Sequence, residues 1–164
     1  MHVVHAGKAG DVAHELSLDI RAQNLTVEAD PDRLVQIFSN LLVNSAKYTE
    51  RGGCIRVSLE SEGEEAIIAV ADNGIGIPPQ SIPNVFEMFS QLGVHPSRAE
   101  GGLGIGLALV YRLVQMHSGT VSAASQGPGM GSTFTVRLPS APAMDSIWPV
   151  SSDPATLPAV SQVT

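Results

Sequence analysis

The 164-residue sequence is short of several things, and each shortage narrows what it can do. One cysteine, Cys54, is too few for an internal disulfide or a cysteine-rich zinc site, which points to a reducing compartment and to a small buried residue in an alternating strand. Lysine occurs only at positions 8 and 47, and neither lies in the Gly-x-x-x-x-Gly-Lys-Ser/Thr context of a P-loop. Charged residues are scarce at 15% and leave a net charge of -7, the wrong sign for a non-specific nucleic-acid or anionic-membrane binder. No apolar run is long enough to span a bilayer, and the start Met1-His2-Val3-Val4 has no signal-peptide pattern, so a cytoplasmic location is expected. With 43% hydrophobic residues the chain is not disordered throughout.

What is present has the size of one domain, expected over residues 16–139. Residues 1–15 have no clear period and read as a ragged N-terminal segment. Leu16, Leu18 and Ile20 alternate with polar residues, and Leu25, Val27 and Ala29 do so again after Gln23-Asn24, the pattern of a β-hairpin. Asp30-Pro31 is an N-cap followed by proline at the first helical position, starting a helix from Pro31 to about Tyr48. At about 100° per residue, Leu34, Ile37, Phe38, Leu41, Ser45 and Tyr48 share one side, while Arg33, Gln36, Asn40, Asn44 and Lys47 form a narrow stripe on the other. Asparagine is a mediocre helix former, so that stripe marks a binding face.

Strands are expected at residues 54–60, 66–71, 120–125 and 132–138, with a short helix or turn around 81–89 and a helix from near Gly104 through His117. Ser118-Gly119 ends that helix and Pro139 closes the folded part. The tail, residues 140–164, has four prolines, five serines and neither lysine nor arginine; it reads as a disordered linker carrying a lone Trp148. This order predicts an α+β two-layer sandwich: a mixed, mostly antiparallel sheet with helices on one face.

Two glycine-rich segments carry the chemistry. Gly102, Gly104 and Gly106 are spaced by two and follow an irregular segment rather than a strand, which excludes a Rossmann fingerprint. Glycines ahead of a helix do let backbone approach a polyanion at the positive end of the helix dipole. At the end of a strand, Asp72 can accept a hydrogen bond from an exocyclic amino group. Asn44 can reach a hydrated Mg²⁺, Lys47 can meet a phosphate, and Tyr48 can cover an aromatic base.

Five segments, in order, resemble the motifs of the sensor histidine kinases. Residues 40–49 (NLLVNSAKYT) resemble the N box, 72–76 (DNGIG) the G1 box, 85–89 (VFEMF) the F box, 102–107 (GLGIGL) the G2 box and 129–134 (GMGSTF) the G3 element. The resemblance implies the catalytic ATP-binding domain of that family, with the Bergerat fold. It assigns the adenine amino group to Asp72 with Gly74 and Gly76, Mg²⁺ to Asn44, phosphate to Lys47 and adenine to Tyr48. It further assigns nucleotide contacts to Gly102, Leu103, Gly104, Gly106, Leu107 and Thr133, and a mobile ATP lid to residues 90–100, where Arg98 is the cation that can reach the terminal phosphates. Asn40, Asn44, Lys47 and Arg98 are the catalytic set. Ser45 departs from the usual alanine, and His117-Ser118-Gly119 stands where a double glycine is common.

The implied reaction is phosphoryl transfer from Mg-ATP to a histidine on a separate dimerisation domain, in cis or in trans, with a response-regulator receiver domain downstream and no nucleic acid or membrane insertion. Hydrolytic relatives, the GHKL-type ATPases, place a glutamate at the first N-box position; Asn40 stands there and is a poor general base. The same fold also serves anti-sigma-like serine kinases and non-catalytic ATP-binding modules, and both compete with the histidine-kinase assignment. His14-Glu15 is followed by Ser17, Leu18 and Asp19 rather than by the rest of a phosphoacceptor motif, so His14 is not expected to be the acceptor.

Overall fold

Helix α1 (Pro31–Tyr48) begins as its start signal dictates: the Asp30 side chain accepts hydrogen bonds from the Asp32 and Arg33 amides, and Pro31 fills a position whose N–H has no helical partner. Its inward stripe is Ile37, Leu41 and Ser45, spaced by four and each 0% exposed. The computed structural model describes residues 2–6, 14–22, 25–87 and 105–141.

The strands are β1 (His2–Ala6), β2 (Glu15–Ile20), β3 (Thr26–Val27), β4 (Cys54–Glu62), β5 (Glu65–Asp72), β6 (Thr120–Ala124) and β7 (Ser132–Ala141); α2 is Gly106–Met116, and a 3-10 turn covers Pro79–Asn84. They form a sheet in the order β1-β2-β4-β5-β7-β3, with β6 also paired to β7. The β2–β4 pair is parallel and the other pairs are antiparallel, so the mixed, mostly antiparallel sheet holds as expected. Both helices lie on one face. Ile37 and Leu41 from α1 and Val110, Leu113 and Val114 from α2 join Ile55, Val70, Phe134, Val136 and Leu138 from the sheet in a single core. Each such aliphatic side chain contributes about 1.5–3 kcal/mol by leaving water.

Three expectations are corrected. Residues 16–20 and 25–29 do not form a hairpin: β2 lies between β1 and β4, and β3 pairs with the far end of β7, Thr26 against Ala141. Alternation reports a half-buried strand but not its partner, and α1 supplies the long crossover that a parallel β2–β4 pair requires. The N-terminal segment is not wholly ragged, since β1 adds an antiparallel strand with His2 opposite Ile20. Cys54 is exposed rather than buried, because the alternation that turns Ile55 into the core turns its neighbour outward, where its Sγ lies 3.7 Å from Glu15 Oε2.

Smaller differences concern ends. Helix α2 starts at Gly106, and β7 continues past Pro139 to Ala141. Trp148, Phe89 and the tail beyond residue 141 lie outside the described residues. Among the described residues no helix is long and apolar enough to cross a membrane. His117 joins the two helices: its Nδ1 bonds the Leu113 carbonyl at 2.7 Å, which leaves Nε2 to accept from the Asp30 amide at 3.2 Å.

Ser118, exposed just after α2, has φ 55, left-handed backbone that a side chain resists. Ser118→Gly is therefore expected to stabilise the fold by about 0.5–1 kcal/mol, read as a higher midpoint of thermal unfolding.

Candidate functional site

At the end of β5 the sheet's inward face changes from apolar to acidic. Asp72 follows Val70 on the side that faces the helices. A partly buried carboxylate needs donors, and several segments supply them. Oδ1 accepts from the Gly74 amide at 3.0 Å and the Ser132 amide at 3.3 Å. Oδ2 accepts from the Ser132 hydroxyl at 2.7 Å and from Ser45 on α1 at 3.2 Å.

The loop after Asp72 is fixed by backbone. The Ile75 amide donates to the Tyr48 carbonyl, the Gly129 amide to Ile75, and the Gly131 amide to Gly74. Ser125 Oγ accepts from the Ile77 amide at 3.0 Å and sits 2.7 Å from the Gly131 carbonyl, to which it donates. Gly76 and Gly131 have positive φ of 71° and 68°, and a Cβ on either would collide with backbone, the Gly127 carbonyl and the Asp72 carbonyl respectively. Gly74 packs as closely beneath the Tyr48 carbonyl.

Helix α1 brings its amide stripe to the same end. Asn40, Asn44, Lys47 and Tyr48 are all half-buried. Asn40 Nδ2 donates to the Gln36 carbonyl at 2.8 Å, and a Cβ built on Gly106 would lie 3.0 Å from Asn40 Oδ1, so the first N-box residue meets the start of α2. That start has Ile105 at its N-cap position and no side-chain cap. Lys47 Nζ lies 5.2 Å above the Tyr48 ring. Arg21 and Arg137 are committed elsewhere. Hydrogen bonds to Asp19 and to Glu65 respectively raise their pKa further, with Glu60 and Glu62 as additional partners.

No group of three or more His, Cys, Asp or Glu side chains that could hold a metal occurs among the described residues. Side-chain amide oxygens are hard donors that could serve a hydrated divalent ion. Asn44 and Asn40, one turn apart on α1, fit that donor set.

The structure thus joins Tyr48, Asp72 and Gly74 at the end of β5 and sets Asn40 beside Gly106, with Asn44 and Lys47 on the same helix as Asn40 and Tyr48 and Gly76 against the Gly127 carbonyl. Leu107, at the start of α2, is partly buried against the core. Thr133 is displaced by one residue: Ser132 stands opposite Asp72 in the β5–β7 ladder, so period-two alternation turns Thr133 to the other face of the sheet. Arg98, Gly102, Leu103 and Gly104 lie outside the described residues. Phe86 packs edge-on against Phe134 at 6.2 Å and beside Tyr111 at 6.0 Å, which ties the F-box segment to the core. His14 anchors the start of β2, its Nε2 lying 3.1 Å from the Thr49 carbonyl.

Ser132 and Ser125 carry contacts that motif spelling did not single out. Only strand register, which pairs Ser132 with Asp72, exposes the first.

The family model for histidine kinase-, DNA gyrase B- and HSP90-like ATPases matches residues 29–142. The chain belongs to that family. It is 41% identical over 137 residues to the circadian input-output histidine kinase CikA of Synechococcus elongatus, a match covering 82% of this chain and only 18% of CikA. The mycobacterial sensor histidine kinase MprB superposes with a TM-score of 0.65 at 30% identity, covering 79% of this chain and 83% of that one. Full-length ShkA in complex with AMPPNP gives 0.66 at 30% identity, over 78% of this chain and 26% of that one. The Asp72 carboxylate lies where the 72–76 and 129–134 segments meet.

Gly131→Ala combines a positive φ with a collision against the Asp72 carbonyl, and is expected to cost at least about 2 kcal/mol. Urea unfolding monitored by circular dichroism measures the loss.

Proposed function

We propose that this chain holds Mg-ATP and presents its γ-phosphoryl group to a histidine on a separate dimerisation and phosphoacceptor domain, in the manner of a sensor histidine kinase. The observation that carries the proposal is the Asp72 carboxylate, fixed by four donors at the sheet end to which α1 brings its asparagines and lysine. Asp72 accepts from the adenine 6-amino group and Tyr48 covers the base. Lys47 and the uncapped start of α2 at Gly106 meet the phosphates, joined by Arg98 and by Gly102, Leu103 and Gly104. Asn44, with Asn40 beside it, holds magnesium through amide oxygen. The ion, when bound, offsets charge on the phosphates.

In the transfer the bond from the γ-phosphorus to the β,γ-bridging oxygen breaks, a nitrogen–phosphorus bond forms on the acceptor histidine, and ADP leaves. The residues of this chain contribute position and charge rather than a covalent partner, and the acceptor domain supplies the nucleophile. A response-regulator receiver domain is the downstream destination of the phosphoryl group. Hydrolysis is disfavoured because Asn40, at the position of a general base, is an amide whose nitrogen donates to the Gln36 carbonyl. Family membership and the AMPPNP bound to ShkA support nucleotide binding.

Asp72→Asn is expected to weaken ATP binding at least about tenfold, from loss of a hydrogen bond to a charged group, while leaving the far-UV circular dichroism unchanged. Wild type, mixed with a supplied dimerisation domain and labelled ATP, is expected to label its histidine, and the variant is not. Rapid ATP hydrolysis without an acceptor would instead favour an ATPase. A second pair of variants checks the register: Ser132→Ala is expected to weaken ATP binding about tenfold, from loss of a hydrogen bond to a charged group. Thr133→Ala leaves binding unchanged.

A further inference from the structure

Ser45 stands where the resemblance leads one to expect alanine, and its surroundings say what the extra oxygen does. It is the third residue of the α1 stripe that buries Ile37 and Leu41, and it is 0% exposed. An apolar stripe has no use for a hydroxyl, and a buried hydroxyl without a partner is destabilising. Ser45 Oγ finds Asp72 Oδ2 at 3.2 Å. The same oxygen receives Ser132 Oγ at 2.7 Å from β7, so the carboxylate is gripped between a helix and a strand. The two amide donors, Gly74 and Ser132, take Oδ1.

All four donors point at the carboxylate, which leaves the pocket only acceptor character at Asp72. A purine with an amino group at position 6 matches that character, and a purine with a carbonyl there opposes it. We infer that Ser45 is a positioning residue for base selection: it holds the Asp72 carboxylate in the one orientation that accepts from a 6-amino purine. Without Ser45, Oδ2 keeps the Ser132 hydroxyl alone and the carboxylate loses its tie to α1. The loss falls on the ligand that uses the oriented lone pair. The inference rests on Asp72 being the base acceptor, so its test carries a separate control for that assignment.

The test is equilibrium binding, with magnesium, of ATP and of inosine triphosphate, which has a carbonyl in place of the 6-amino group, to the whole 164-residue chain. Ser45→Ala is expected to weaken ATP about tenfold or more and to leave inosine triphosphate within about twofold, as loss of one hydrogen bond to a charged group predicts. Ser45→Cys, nearly isosteric and a weak donor, falls between. Thermal unfolding of each variant keeps folding separate from binding. Equal weakening of both nucleotides, no change, or tighter ATP binding overturns the role of Ser45. Asp72→Asn is the control. If it removes the preference for ATP while Ser45→Ala keeps it, Ser45 alone is refuted; if it leaves the preference intact, Asp72 is not the base acceptor and both assignments fall.

Discussion

A carboxylate at the end of an otherwise apolar strand face is the constraint on which this molecule is arranged. Asp72 is the next inward position after Val70, whose neighbours are apolar, and the charge is tolerable there only because donors arrive from α1, from the loop after β5 and from β7. Meeting that demand fixes the spacing between helix and sheet, closes the 73–78 loop against the Tyr48 carbonyl, and sets the β5–β7 register with Ser132 opposite Asp72. The glycines at 76 and 131 follow from the same closeness, since backbone segments approach one another where a Cβ cannot fit.

The acidic balance of the chain is consistent with such a site. A net charge of -7 leaves no diffuse attraction for a polyphosphate. Arg21 and Arg137 are tied to surface carboxylates, and the proposed site leans on local groups instead: Lys47, Arg98, the asparagine amides of α1 and the start of α2. Fixed dipoles and few cations suit a ligand that brings its own counter-ion.

Helix α1 was legible to the residue because its signals are local: Asp30 and Pro31 at one end and a 3.6-residue period between. The layer arrangement was legible as well, since strand and helix order restricts the ways one core can be built. What escaped reading depends on distant partners. Nothing in Leu16, Leu18 and Ile20 says that their strand pairs in parallel with β4, and nothing in Thr26 and Val27 says that they meet β7. The site shows the same division. Asp72 and the asparagine stripe stand out by residue type and position, whereas choosing Ser132 over Thr133 needs a register that differs by a single residue.

The acceptor is assembled from remote parts of the chain: Ser45 lies 27 residues before Asp72 and Ser132 lies 60 after it. Contacts of that separation form late, after the loops between them have closed. A chain that has collapsed without docking β7 on β5 has no oriented carboxylate, and so offers nothing for a ligand to stabilise. Ligand occupancy and completion of folding are therefore linked quantities, and a bound molecule deepens only the native basin, not partly folded states that compete with it.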